Sequence, residues 1–481
     1  MQLMKNQERF DRLFEQAVRH YSISNYESAV LWAKAAASSA WYAHPGFYVH
    51  RELEEMLQDI SATLPNRVYD WSLPVNPKCS KRFLHVITQA YPTGGHTRLV
   101  ERLIHKAPDG DQHSIIFLDQ KGAIPSWLID AASEKNGSHI VIPQEYSVIE
   151  KATYLRDVAY RWADTVYLHI HPDDPIANLA FGVEGGPPVI LVNHSDHSFG
   201  LGYSIADLVS DGRISSQQIS YDRRHVRKSG ILGVPLLPVE FNLSKRDCKA
   251  RLGIDENTIV LLSIGASYKY TPYENLDFPN AITKVLLAHE KVVMIVIGPS
   301  PSDSIWDGAI QSVQGKLRVV GVKNDISDYY GAADIYLSSF PFGSFTAELD
   351  AALRGIPVIR PYSPISDMMV LQQYEGMNEC PLNIEDYCAI VSSFITNSSL
   401  REYSGNLQQR SVSYYHLGDG WNKGLEHLLN SLPASHRVGF SEDRSSETEL
   451  INEYEFIWAE IQAVHLGKEL VSSLIQISGR L

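Results

Sequence analysis

The stretch Asp334-Ile335-Tyr336-Leu337-Ser338-Ser339-Phe340-Pro341-Phe342-Gly343-Ser344-Phe345-Thr346-Ala347-Glu348-Leu349-Asp350, closed by Gly355-Ile356-Pro357, decides the fold. The apolar run Asp334 to Ser338 reads as a buried strand. A loop holding Pro341 and Gly343 follows. A helix then starts near Ser344 to Thr346, runs through Ala347 to Arg354 and stops at Gly355, and Ile356 to Arg360 reads as a further strand. Strand and helix in alternation argue for a parallel sheet with crossover helices.

The same alternation extends upstream. Thr258 to Ile264, Val292 to Gly298 and Arg318 to Val320 read as strands, with helices over Asn280 to His289 and Asp325 to Ala332. An earlier set has strands over Phe83 to Thr88, Ser114 to Leu118, His139 to Ile142, Thr165 to His169 and Pro188 to Asn193. It ends near Pro235-Leu236-Leu237-Pro238. Two such sets predict an α/β chain of two Rossmann-like domains facing each other across a cleft, with ligands at the carboxyl ends of the strands. The expected boundaries are 1–72 for an N-terminal helical extension, 73–240 and 241–430 for the two domains, and 431–481 for C-terminal helices.

In the extension, Phe14, Ala17, Val18 and Tyr21, then Ala29, Trp32, Ala33 and Ala36, recur at helical spacing. These helices are either a cap on the next domain or a docking element for a partner or acceptor. Leu64 to Lys78 reads as a linker. Glu447 to Ile477 reads as a long amphipathic helix or a pair, able to pack on either domain.

Composition narrows the function. The 481 residues are 44 % hydrophobic and 20 % charged, as in ordinary globular chains. With 42 basic and 56 acidic residues the net charge is −14, so a phosphate backbone would be repelled and nucleic acid is not expected as the main partner. Local basic spots such as Arg223-Arg224 stay open as anion contacts. Cys79, Cys248, Cys380 and Cys388 have no metal-ligand spacing and form no disulfide framework, which points to a cytoplasmic setting. No secretory signal and no transmembrane segment is expected; a peripheral membrane contact and homo-oligomer formation stay open.

A helix start presents free N–H groups and positive potential. The one near Ser344 is therefore a ready phosphate site, with Ser344 and Thr346 as hydroxyl donors and Asp350 one turn on, where its carboxylate could accept from ribose hydroxyls. Lys269, in Ser263-Ile264-Gly265-Ala266-Ser267-Tyr268-Lys269-Tyr270-Thr271-Pro272, sits just past a core strand of the same domain. There it can neutralise charge building on a diphosphate leaving group. A capped helix and a solvated lysine are the plainer readings of each alone.

Tyr268-Lys269-x-x-Pro272 and Pro341-x-x-Ser344-Phe345-Thr346-x-x-x-Asp350-x-x-x-x-Gly355-x-Pro357 resemble two motifs of the O-GlcNAc transferase family. Phe340-Pro341-Phe342-Gly343 resembles its bacterial relatives, the cytoplasmic protein N-glucosyltransferases. The resemblance implies a two-domain (GT-B) glycosyltransferase using a UDP-sugar. Lys269 would hold the diphosphate, Thr346 would donate to a phosphate and Asp350 would bind ribose, while Phe345 stands at the helix start. Val322-Lys323-Asn324-Asp325 resembles the base-binding loop common to GT-B enzymes, which makes Val322 and Lys323 nucleotide contacts. The match spans about Thr258 to Arg360. It departs at Ala266, where the family has glutamine, and at Phe345, Thr346 and Ala347, where it has histidine and two threonines.

In the first domain, Tyr91-Pro92-Thr93-Gly94-Gly95-His96-Thr97-Arg98 follows the first strand. Gly94 and Gly95 let backbone approach a ligand closely, or make a simple turn. The loop resembles the glycine-rich loop of retaining polysaccharide glycosyltransferases, which faces donor and acceptor. His169-Ile170-His171-Pro172-Asp173-Asp174 and Asn193-His194-Ser195-Asp196-His197-Ser198 also follow strands. An inverting transfer needs a base or an orienting group near the acceptor. Asp196, His197 and His194 are candidates, with His96, His171 and His194 as acceptor contacts. No metal site is expected: Glu348 and Asp350 are two apart on a helix and do not face each other.

The expected function is metal-independent transfer of a sugar from a nucleotide sugar, UDP-linked, to a protein or surface-glycan acceptor, with no resident cofactor. The resemblance favours inversion and the glycine-rich loop favours retention. The alternatives are a non-catalytic partner subunit and a sugar-nucleotide epimerase.

Overall fold

The computed structural model describes residues 1–92, 95–238, 243–363, 374–377, 380–441 and 453–479. The chain divides into two compact units, one of Met1–Pro235 with Lys423–Leu481 and one of Leu236–Asn422.

The first unit is built on a seven-stranded, all-parallel sheet. Its strands are β1 (Arg82–Ile87), β2 (Gln112–Phe117), β3 (His139–Val141), β4 (Thr165–His169), β5 (Val189–Val192), β6 (Leu208–Asp211) and β7 (Ser229–Ile231). They lie in the order β3-β2-β1-β4-β5-β6-β7. The chain winds outward from β1 to one edge, returns to β4 and winds to the other, so β1 and β4 flank the switch point. Leu84, Val86, Val166 and Leu168 are fully buried, as expected of a parallel sheet covered on both faces.

β6 and β7 were not among the expected strands. Leu208-Val209-Ser210-Asp211 and Ser229-Gly230-Ile231 carry too many polar and turn-forming residues for an apolar run. Buried side-chain bonds make them strands: Asp211 accepts from Asn193 Nδ2 at 2.6 Å and from Ser229 Oγ at 2.6 Å. Buried polar groups must find such partners, and only the assembled sheet supplies them.

Helices α1 (Gln2–Ser22), α2 (Tyr26–Tyr42) and α3 (Arg51–Thr63) precede this sheet. The small side chains Ala29, Ala33, Ala36, Ala37 and Ala40 make α2 a buried helix around which others pack closely. Helix α3, within the stretch expected to be helical, is amphipathic and buries Leu53, Met56, Leu57 and Ile60. Helices α4 (Gly95–His105), α5 (Ser126–Glu134), α6 (Val148–Trp162), α7 (Ile176–Phe181) and α8 (Ile214–Asp222) are interleaved with the strands. Ser147 and Glu150 form a reciprocal capping box at the start of α6, a device worth about 1 kcal/mol.

The second unit repeats the plan with α9 (Lys245–Arg251), β8 (Ile259–Ile264), α10 (Phe278–Ala288), β9 (Val292–Ile297), α11 (Asp307–Ser312), β10 (Leu317–Val319), α12 (Ser327–Ala332), β11 (Ile335–Leu337), α13 (Phe345–Leu353) and β12 (Val358–Ile359). Its parallel sheet has the order β10-β9-β8-β11-β12, placing the switch point between β8 and β11. Helices α14 (Ile384–Thr396) and α15 (Ser398–His416) follow, and α16 (Gly418–Asn430) carries the chain back to the first unit.

The last segment is a pair, α17 (Glu453–His465) and α18 (Gly467–Ser478), and it packs on the first unit. Glu455, fully buried, pairs with Arg223 at 2.8 Å. Gln462 accepts from His44 N–H at 2.6 Å and donates to the Trp41 carbonyl at 2.9 Å. Leu31 and Ala35 of α2 pack against Ile477 of α18. Arg223 and Arg224, considered above as anion contacts, are thus structural: Arg224 is fully buried and donates to the carbonyls of Asp196 and Ser198 at 2.8 and 2.9 Å.

Candidate functional site

In the second unit, Lys269 and the start of α13, both singled out from sequence, meet at the switch point. The strand β8 ends at Ile264 and the chain turns into a short 3₁₀ segment, Ser267–Tyr270, that carries Lys269. The Lys269 Nζ donates to the Gly343 carbonyl at 3.0 Å. It lies 5.1 Å from the centre of the Phe342 ring, against which Tyr268 packs edge-on at 5.8 Å. The ammonium is thereby held beside the start of α13, one residue before its N-cap, Ser344.

Two features set this approach. Gly298, at φ +116°, ends β9 so close to the neighbouring loop that a Cβ would sit 2.0 Å from the Gly265 carbonyl oxygen. At Gly265 itself a Cβ would sit 2.8 Å from Ser344 Oγ. The loops after β8, β9 and β11 therefore close on one another only because two positions lack side chains.

Ser344 is buried, and its hydroxyl lies 3.3 Å from Ser339 Oγ. Its N–H donates to Glu348 Oε1 at 3.2 Å, and the same oxygen accepts from Ser338 Oγ at 2.6 Å. Thr346, in contrast, is exposed on the first turn. Asp350 is half-buried on the same helix, 3.7 Å from Arg354, whose guanidinium covers the Tyr330 ring at 4.4 Å. Phe345 is half-buried, and Val322 and Lys323 are exposed in the loop before α12. The sequence did not single out Ser339, and it raised Glu348 only as half of a metal pair with Asp350; neither residue's part in closing this loop shows until the loop is folded.

In the first unit, the histidine-bearing segments also meet at strand ends. The His96 Nε2 lies 3.1 Å from the His169 carbonyl, and its ring centre lies 4.4 Å from that of His194 and 6.1 Å from that of His171. Burial, with neighbouring imidazoles, pushes His96 well below the ordinary imidazole range. Burial likewise lowers His194 to about 4 and lowers His171, although Asp173 and Asp174 pull the latter back. Beneath them the His85 ring bridges His169 Nε2 at 3.1 Å and His113 Nδ1 at 2.9 Å. That buried row was not foreseen, since its members are spread over three strands.

Asp196 is buried and paired with Arg213 at 2.6 Å, and His197 Nδ1 lies 3.5 Å away. Burial disfavours its charge, but Arg213 and His197 outweigh this and hold the carboxyl below the usual carboxylate range. The His197 ring packs edge-on against Trp458 of α17 at 5.4 Å. Gly95 opens α4, and a Cβ there would meet no atom within 4 Å. Gly94 lies outside the described residues. Among the described residues no group of three or more His, Cys, Asp or Glu could hold a metal ion, and no helix is long and apolar enough to cross a membrane.

No family model matches the sequence and no curated protein matches it. Solved structures do. The chain is similar to Anabaena HepE in complex with UDP and glucose, with a TM-score of 0.56 and 14 % identity over 73 % of this chain and 100 % of that one. It is similar to a glycosyltransferase from Rickettsia africae, with a TM-score of 0.56 and 15 % identity over 73 % and 99 %. A Thermobaculum terrenum O-GlcNAc transferase mutant is similar over 93 % of this chain and 85 % of that one, at a TM-score of 0.50 and 12 % identity. The chain thus has the fold of the GT-B glycosyltransferases, with N-terminal and C-terminal helices added to two Rossmann-like sheets.

Proposed function

We propose that this protein is a glycosyltransferase that moves a sugar from a UDP-linked donor to a protein or glycan acceptor without a metal ion. The observation that carries the reading is the Lys269 ammonium held 3.0 Å from the Gly343 carbonyl, beside the opening turn of α13. First-turn N–H groups have no partner within a helix, and the helix dipole adds positive potential there. An ammonium and a helix start side by side favour a pyrophosphate. Breaking the sugar–phosphate bond leaves charge on the departing UDP, and both groups would stabilise it where it develops. Thr346, exposed on that turn, would donate to a phosphate, and Asp350 would accept from the ribose. Ser344 would act through the loop it closes, since its hydroxyl faces Ser339. Val322, Lys323 and Phe345 would border the nucleotide, and Gly95, at the start of α4, would border the acceptor. Neighbours of the same fold support the donor class, because HepE binds UDP-glucose.

The first unit would orient the acceptor through His96 and His171. Among the three candidates for base, His194 is the best suited. It is neutral near pH 7, and its Nδ1 lies 3.3 Å from the Val192 carbonyl, a tautomer that leaves Nε2 as the proton acceptor. Asp196, held as an anion by Arg213, would position the loop with His197.

A thermal-shift screen of nucleotides tests the donor side. A ligand that binds only the folded state at 100 times its Kd adds about 2.7 kcal/mol. UDP should raise the Tm of the wild type and raise that of Lys269→Met much less. No shift with any nucleotide would overturn the reading.

A further inference from the structure

A cavity of about 470 Å³ opens at the switch point of the first sheet, where the loops after β1, β2 and β4 meet α2 and α18. Open parallel sheets hold ligands at this place, and the volume is that of a small-molecule site. The terminal helices complete it. Lys121 Nζ, after β2, donates to Gln476 of α18 at 3.3 Å, and Ser473 of α18 donates to Ser38 of α2 at 3.2 Å.

Its lining states what it can hold. Trp41, Tyr91 and His171 form an aromatic wall: the His171 ring stacks on Tyr91 at 5.9 Å and lies 5.8 Å from Trp41. Ionic groups are balanced, with Lys34, Lys121 and Lys468 set against Asp119, Asp173 and Glu469. A polyanion such as a nucleoside diphosphate would find no net attraction there. Flat rings, with carboxylates, amides and ammonium groups around them, suit a neutral ligand that has apolar C–H faces and many hydroxyls. One recurring way to capture a peptide main chain is along an exposed strand edge, and the edges of this sheet are β3 and β7, away from the central β1 and β4. From His171 the rings of His96 and His194 continue in sequence, at 6.1 and 4.4 Å.

We propose that this cavity binds a neutral pyranose, so that the acceptor is a glycan or a sugar-bearing molecule, a proposal that rests on the transfer reading above. Trp41 and Tyr91 stack on the sugar, and Gln89 and Asp119 bind its hydroxyls.

The test uses the full chain and a panel of methyl pyranosides and oligosaccharides of two to four sugars, titrated by saturation-transfer NMR. At least one sugar should bind the wild type, with Kd raised tenfold or more in Trp41→Ala and in Tyr91→Ala. Tyr91 is 39 % exposed, so its removal spares the core. The UDP-induced Tm shift should be unchanged in both variants. The proposal is overturned if no sugar binds, if both variants bind as the wild type does, or if a peptide array is retained through Tyr91 while no sugar is. Sugar binding without any UDP shift would sink the transfer reading and leave the pocket standing. A UDP shift without sugar binding would do the reverse.

Discussion

The switch point of the second unit and that of the first are built to opposite electrostatic plans. In the second, a single ammonium meets a helix start, and the region before α13 is otherwise lined by serines, a backbone carbonyl and the buried Glu348 carboxylate, which accepts from Ser338 Oγ and the Ser344 N–H. In the first, imidazoles kept neutral by burial cluster near carboxylates that are ion-paired. All but two of the chain's 18 histidines, His289 and His416, lie in the first unit. On the proposed reading the same strand order would carry an anion-stabilising end and a proton-handling end, with topology choosing the place and side chains the chemistry.

The comparison can be broken most severely at His194. If it is the base, His194→Gln should lower turnover by roughly 10²–10⁴-fold, while the UDP-induced Tm shift stays as in the wild type. Lys269→Met should instead affect both, weakening the UDP shift and lowering turnover by about 10²–10³-fold, the scale for losing one preorganised charge-stabilising group. Assays of hydrolysis and transfer with UDP-glucose would read both.

Gly298→Ala probes the scaffold of the second switch point. The strained φ and the carbonyl contact should cost about 2–3 kcal/mol, seen as a lowered midpoint in urea and a weakened UDP shift.

Acid should separate the units. Burial lowers His44, His113 and His169 to about 3. A histidine depressed in the folded state contributes its stability fully above its unfolded pKa. Below about 6.5 the unfolded chain binds the extra proton, so each such group costs about 1.4 kcal/mol per pH unit as pH falls toward the folded value. Calorimetry between pH 7 and 4 should show the first unit losing stability ahead of the second. Parallel loss in both would contradict the contrast. The smallest effect belongs to Thr346→Val, where one hydroxyl contact is worth about 1 kcal/mol, a several-fold rise in the Kd for UDP by calorimetric titration.

Much of the frame was legible from local pattern. The runs Thr165–His169 and Val292–Ile297 read as buried strands from their β-branched, aromatic and apolar residues, and Gly355, at φ +69°, stops α13 as a glycine after a helix does. Lys269 and the loop before α13 were readable because strand, loop and helix are contiguous in the chain. Asp196 was readable as a candidate, but its partner Arg213 lies on another element, and nothing local announces that the carboxylate is paired.

Local pattern was enough for the alternation of strands and helices, the helical ends and the position of Lys269 past a core strand, because these depend on neighbours a few residues away. Tertiary structure alone decided that Gly265 and Gly298 let three loops close, that α18 returns to line a cavity with α2, and that His85, His113 and His169 share one buried row. Those facts depend on burial and hydrogen bonding between residues far apart in the chain, where each polar group's state is set by partners that only folding brings near.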